Sequence, residues 1–348
     1  MVNYLKGTPE EGLEFKPRSY VCRRTFMKPE IDGRLDKPFW ENAPWSDEFE
    51  DIEWNSKRPK PYHRTRMKML WDDEFLYIGA YLEEDKLWGT LTERDSVIFN
   101  DNDFEIFIDP DGDTHAYYEF EINALNTVWD LLLIKPYRDA NNGPCAVNGW
   151  DISGMKTAVH IDGVINNPSA VEDNKGWSVE IAMPWKILKE CAAGGKKPEV
   201  HDYWRIDFSR VEWRTEIKNG KYSKVIDTET GRSYPEDNWI WSPIGLVNMH
   251  YPELWGFVYF TDCENDVFVI PEDEKLKWEL RKVYYMEKNY YRQRGRYCTD
   301  YSELCGGEVG IINPVIEVTT SMYEAYVMTT DGKGRIVIRQ DGCCRIER

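Results

Sequence analysis

Residues 100–123, NDNDFEIFIDPDGDTHAYYEFEIN, set acids and amides around two short apolar runs. Side chains of this kind at this density support three chemistries. The first is glycoside hydrolysis, which needs two carboxyl groups held about 5–5.5 Å or 6.5–9.5 Å apart. The second is a hard-oxygen metal loop, because Asp109, Asp111 and Asp113 repeat at the first, third and fifth positions of a calcium loop. Gly112 falls one place after Asp111 and Phe120 stands where an EF-hand has its Glu, so the loop is not an EF-hand. A hairpin turn built from Asp and Gly produces the same letters. The third is a floor for a polyhydroxylated ligand, with carboxylates and amides bonding hydroxyl pairs and aromatic rings packing on the ring C–H face.

The elements that position these residues read as strands. In DFEIFID, alternation sends Phe104, Ile106 and Ile108 to one face and Asp103, Glu105 and Phe107 to the other. In YYEFEIN, Tyr118, Phe120 and Ile122 oppose Tyr117, Glu119, Glu121 and Asn123. A hairpin across 109–115 therefore puts Glu105, Glu121 and Asn123 on one polar, outward face. RMKMLW, FLYIGAYL, TVWDLLLI, GWSVEIAM, YWRIDFSRVEW and WGFVYF add strands, separated by turns such as NNPS, NNGP and KNGK. Only PWKILKECAAGG interrupts them as a short helix, ended by a Gly pair. The pattern predicts an all-β fold, an antiparallel β-sandwich of jelly-roll or immunoglobulin-like type. Residues 272–296 then repeat apolar side chains at helical spacing (Leu276, Leu280, Val283), with acids first and bases last. A hairpin within 323–342 closes the chain. Three regions follow: an N-terminal extension over 1–29, a β domain over 30–265 and a C-terminal α+β extension over 270–348.

Composition narrows the partners. The net charge is −18, and residues from 271 onward carry 13 basic and 13 acidic side chains, so the excess lies entirely in the β region. Such a surface repels phosphate, which argues against nucleic acid and anionic membranes. No apolar run reaches membrane-spanning length and the first residues lack an apolar signal core. As written the chain reads as cytoplasmic, or as secreted if a leader was trimmed. Eight cysteines show no zinc spacing, and Cys343 with Cys344 and Cys298 with Cys305 are the only disulfide suspects. The five histidines are scattered singly and no catalytic or phosphate-loop motif is present. An axial haem pair would have to use Met249 or His250 with another His or Met, and these two are adjacent.

The ordered segments resemble carbohydrate-binding module family 9, in its family-9-like branch. The resemblance runs from EIDGRLDKPFWENAPW (30–45) through MLWDDEFLYIGAYLEED (69–85), DNDFEIFIDPDGD, YYEFEIN, GWSVEIAMPWKIL (176–188) and WRIDFSRVEW (204–213) to WSPIGLVNMHYPELWGFVYF (241–260). It implies a non-catalytic module that binds sugars, often at a chain's reducing end, within carbohydrate catabolism. It also implies structural calcium, for which Asp109, Asp111 and Asp113 are the candidates, and no organic cofactor. Glu105 matches the family's ligand-bonding Glu and Asn123 its strand Asn, while Glu121 stands at the sugar-bonding Arg. Phe99 takes the place of the first clamp Trp, and the second falls at Met249 or His250, with Tyr251 or Trp255 as substitutes. The ligand set expected is Phe99, Glu105, Glu121, Asn123, Arg210, His250 and Tyr251. Arg210 is included as the end of an alternating strand, and an ion pair with Glu212 is its other reading. A glycoside hydrolase or auxiliary enzyme, and a structural interaction module of undetermined oligomeric state, are the alternatives to sugar binding.

Overall fold

The computed structural model describes residues 2–53, 59–140, 143–308 and 310–348. The principal strands are β1 (Ser19–Arg24), β2 (Thr65–Trp71), β3 (Phe75–Glu83), β4 (Asp103–Asp109), β5 (Tyr117–Asn123), β6 (Val128–Leu133), β7 (Lys156–Asp162), β8 (Gly176–Pro184), β9 (Tyr203–Glu212), β10 (Asp237–Ile240) and β11 (Gly256–Thr261). They lie in one mixed, curled sheet in the order β6-β5-β4-β9-β11-β1-β2-β3-β8-β7, with β10 on β9. The fold is mostly β, as the alternating runs predict. It is not wholly antiparallel, because β1 pairs in parallel with both β11 and β2. The β1 segment is the stretch SYVCRR before residue 30, so part of the expected extension belongs to the sheet.

One apolar core joins the two ends of this order. Met67, Met69 and Trp71 of β2, Ile78 and Ala80 of β3, and Val179 and Ile181 of β8 cluster with Phe104, Ile106 and Ile108 of β4 and Phe208 of β9. Each contributes alternate residues, as period-2 strands must. A second core covers the opposite face of β4, β5 and β6. Phe107, Tyr117, Leu131 and Leu133 pack there with Trp255 and with Leu280, Val283 and Tyr284 of helix α1 (Glu272–Arg294). This face is therefore buried, where a solvated face was expected.

The α1 helix spans almost the whole predicted segment and ends where Gly295 takes a left-handed φ of +70°. The tail is larger than one hairpin. Strands β12 (Val315–Val318), β13 (Tyr323–Met328), β14 (Arg335–Arg339) and β15 (Cys344–Glu347) make a four-stranded antiparallel sheet. All eight cysteines are free, including the two suspected pairs. No helix among the described residues is long and apolar enough to cross a membrane.

Candidate functional site

The hairpin register places the acids. Glu105 of β4 lies directly opposite Glu121 of β5, and Asp103 opposite Asn123. On the flanks Trp129 of β6 opposes Glu121, and Ser209 of β9 opposes Glu105. One row across four strands thus reads Trp129, Glu121, Glu105, Ser209. Glu119 and Phe107 occupy the next row on the same face, and Asp103 the previous one.

These acids are buried rather than solvated. Glu105 is 5% exposed, Glu119 6%, Glu121 1% and Asp103 fully enclosed. The Phe99 N–H donates to Glu121 at 2.9 Å and the Val211 N–H to Asp103 at 3.3 Å. The Trp213 indole donates to the Phe99 carbonyl at 2.8 Å, which seats the 98–100 turn beside the row. Burial drives the carboxyls of Asp103, Glu119 and Glu121 well above the usual carboxylate range, and neighbouring acids push them further. Glu105 is raised by the same burial to about 7, with the Ser209 hydroxyl opposing the rise.

Aromatic side chains border the row. Phe99 is 37% exposed and Tyr137 44%, while Trp129 is half-buried. Tyr137 feels the charges of Glu119 and Glu121, and its ring meets His250 edge-on at 4.5 Å. The alternation that selects Glu121 also puts Trp129 on its face, a signal within TVWDLLLI that motif reasoning passed over. Tyr137 lies in a 3₁₀ turn, Tyr137–Asp139, with no sequence signature of its own.

Four expected contacts have other partners. Arg210 points into the opposite face, fully buried, with Nη2 at 2.7 Å from Glu212 and 3.0 Å from Glu84. The ion-pair reading of Arg210 is the one the structure bears out. Asn123 holds the β5–β6 turn, donating to the Leu91 carbonyl and Asp101 and accepting from the Leu125 and Thr127 amides. Tyr251 is buried, donates to Glu10 at 2.9 Å and lies under the Arg138 guanidinium at 4.1 Å. His250 shares a 2.9 Å hydrogen bond with the Tyr117 hydroxyl, and burial, with Arg138 nearby, lowers its pKa to about 3. A neutral, enclosed imidazole can edge a site but offers it no charge.

Asp109, Asp111 and Asp113 do converge, with one oxygen from each within 4.8 Å of the others. Most of their hydrogen-bonding capacity is nevertheless spent on the turn. Asp109 accepts the Gly112 and Thr114 amides, and Asp113 accepts the His115 amide and the Cys343 thiol. Gly112 and Thr114 have φ of +64° and +77°, so these bonds secure a left-handed turn. Lys277 supplies a buried cation beside them, donating to the Gly112 carbonyl at 3.2 Å. The turn thus engages Asp109 and Asp113, while Asp111 is exposed.

A search of the curated proteins finds no match. Two solved structures of a carbohydrate binding module family 9 from Caldicellulosiruptor kristjanssonii, one in complex with cellotriose and one with glucose, are each 18% identical to the chain. They cover 73% and 72% of it and 100% of their own length, with TM-scores of 0.43 and 0.44. The family model described as "Carbohydrate family 9 binding domain-like" matches residues 31–201, which include β4, β5 and β6. Over those residues, just under half of the chain, the sequence is similar to that family.

Proposed function

We propose that the β region over 30–265 folds over its core as a sandwich and binds a carbohydrate without transforming it, at the face bordered by Phe99, Trp129 and Tyr137. The observation that carries this reading is a row of polar side chains flanked by partly exposed rings, inside the segment that the carbohydrate family 9 binding domain-like model matches. Rings supply flat apolar area for the C–H face of a sugar, and the acids supply acceptors for its hydroxyls. Only Phe99, Tyr137 and the edge of Trp129 reach solvent, so the bound unit is small, such as the end of an oligosaccharide released in glycan breakdown.

Titration calorimetry with mono- and oligosaccharides, free and reduced at the anomeric carbon, tests this. Binding lost on reduction and lost in Trp129→Ala supports an end-binding module. Absence of heat with every sugar overturns it. A second reading, glycoside hydrolysis, has one observation in its favour: Glu105 is held near neutrality opposite another carboxyl. Turnover of aryl glycosides abolished by both Glu105→Gln and Glu121→Gln would establish hydrolysis instead.

A further inference from the structure

Buried acids elsewhere in this chain are neutralised by a cation or by backbone amides. Glu180 meets Lys37 at 2.7 Å, Glu253 meets Arg138 at 2.7 Å and Glu274 meets Lys277 at 3.1 Å. Glu84 and Glu212 share Arg210. Asp207 accepts the Phe208 and Ser242 amides, and Glu287 accepts the Cys298 amide. The row at β4 and β5 is only partly served: Asp103 accepts the Val211 amide and Glu121 the Phe99 amide, while among the described residues no backbone amide donates to Glu105 or Glu119. Among the described residues no Lys, Arg or His forms an ion pair with Asp103, Glu105, Glu119 or Glu121, and the charges that act on them are other carboxylates.

The same spot gathers polar atoms without partners. Asp103 Oδ2 and Glu119 Oε2 are enclosed and make no hydrogen bond, on side chains that are both more than nine-tenths buried. One oxygen each from Asp103, Glu105 and Glu121 lies within 4.8 Å of the others. Glu119 adds its orphaned oxygen on the same strand face, two residues from Glu121 and close enough for its charge to act on Glu105's neighbours. A folded chain keeps such desolvated acids either protonated or completed by a cation.

We propose that Asp103, Glu105 and Glu121 hold one divalent cation of the calcium class, with Glu119 and the Ser209 hydroxyl beside it. The donors are all hard oxygen atoms on flexible carboxylates, which suits an ion taking six to eight such ligands rather than a thiol- or imidazole-seeking metal. The site is separate from the Asp109–Asp111–Asp113 turn, where Asp109 and Asp113 accept hydrogen bonds from the protein.

The test needs no sugar, so it stands or falls apart from the carbohydrate reading. The full chain, stripped with EDTA and dialysed, is titrated with CaCl₂ by calorimetry, and melting is followed in EDTA and in calcium. One ion per chain is expected. Glu105→Gln and Glu121→Gln should each weaken binding at least about tenfold, the lower end of what losing even a ligand's supporting partner costs, while Asp111→Asn leaves it unchanged. Calcium should raise the melting temperature of the two Gln variants less than that of the parent. No binding of calcium, magnesium or manganese overturns the proposal. So does binding that survives Glu121→Gln and disappears in Asp111→Asn, which would place the ion at the turn.

Discussion

Arg210 separates a scaffold role from a ligand role by a measurable margin. Its guanidinium makes five hydrogen bonds: two to Glu212, at 2.7 and 3.1 Å, and one each to Glu84 at 3.0 Å, the Thr65 hydroxyl at 3.1 Å and the Glu83 carbonyl at 2.8 Å. Arg210→Met keeps most of the volume packed on the Trp239 ring but leaves Glu84 and Glu212 buried together without a cation. Removing one partner of a buried ion pair costs about 3–5 kcal/mol. At roughly 2–3 °C per kcal/mol for a chain of this size, the melting temperature should drop by roughly 6–15 °C. The loss should shrink as pH falls. Burial and Glu84 already hold Glu212 above the usual carboxylate range, and losing the guanidinium raises it further. The folded variant then keeps a proton that its unfolded chain releases, so its stability decreases as pH rises through the window between those two pKa values. Arg210→Lys should recover only part of the loss, since an ammonium cannot span both carboxylates with the same fork. Scanning calorimetry from pH 5 to pH 8, paired with sugar titration, reads all of this. Unchanged melting together with lost sugar affinity would refute the scaffold argument and return Arg210 to the binding site.

Three further outcomes follow from the same charge and packing map. In EDTA, stability should fall between about pH 4.5 and 7 as Glu105, raised to about 7 in the fold, is forced to ionise; the 2.5-unit span corresponds to about 3 kcal/mol as an upper figure, and a melting temperature flat across that range would contradict it. Below the ordinary imidazole range the opposite slope belongs to His250, whose folded pKa of about 3 favours the neutral ring, so His250→Gln should flatten the acid limb of the melting curve relative to the parent. A chain cut at residue 270 should be insoluble or strongly dye-binding, because it bares Phe107, Tyr117, Leu131 and Leu133 where α1 now packs; a soluble, cooperatively melting fragment would show that the tail is dispensable.

Much of the arrangement was legible because strand periodicity is a local property. The two faces of β4 and β5, the hairpin between them and the cross-strand meeting of Glu105 with Glu121 all follow from alternation and one turn. Helix α1 was legible for the same reason, with acids first, bases last and Gly295 at its end. What periodicity cannot carry is the identity of whatever covers a face. Glu105 and Glu121 read as solvent-facing because acids usually are, yet the cover comes from residues far along the chain: α1 over Phe107 and Tyr117, the 98–100 turn and Trp213 beside Glu121. The same gap explains Arg210, whose partner Glu84 lies 126 residues away. It also explains Asn123, whose amide was assigned to a ligand but ties its own turn to Asp101 and Leu91. The parallel pairing of β1 was hidden too, since Ser19–Arg24 has no sequence neighbour to pair with and gains its place between β11 and β2 from the closure of the sheet. Burial turns the same row of acids from ordinary surface decoration into four desolvated carboxyl groups held above the usual carboxylate range. That change of meaning depends on the cover, so it becomes readable only once the tail and the sheet are seen together.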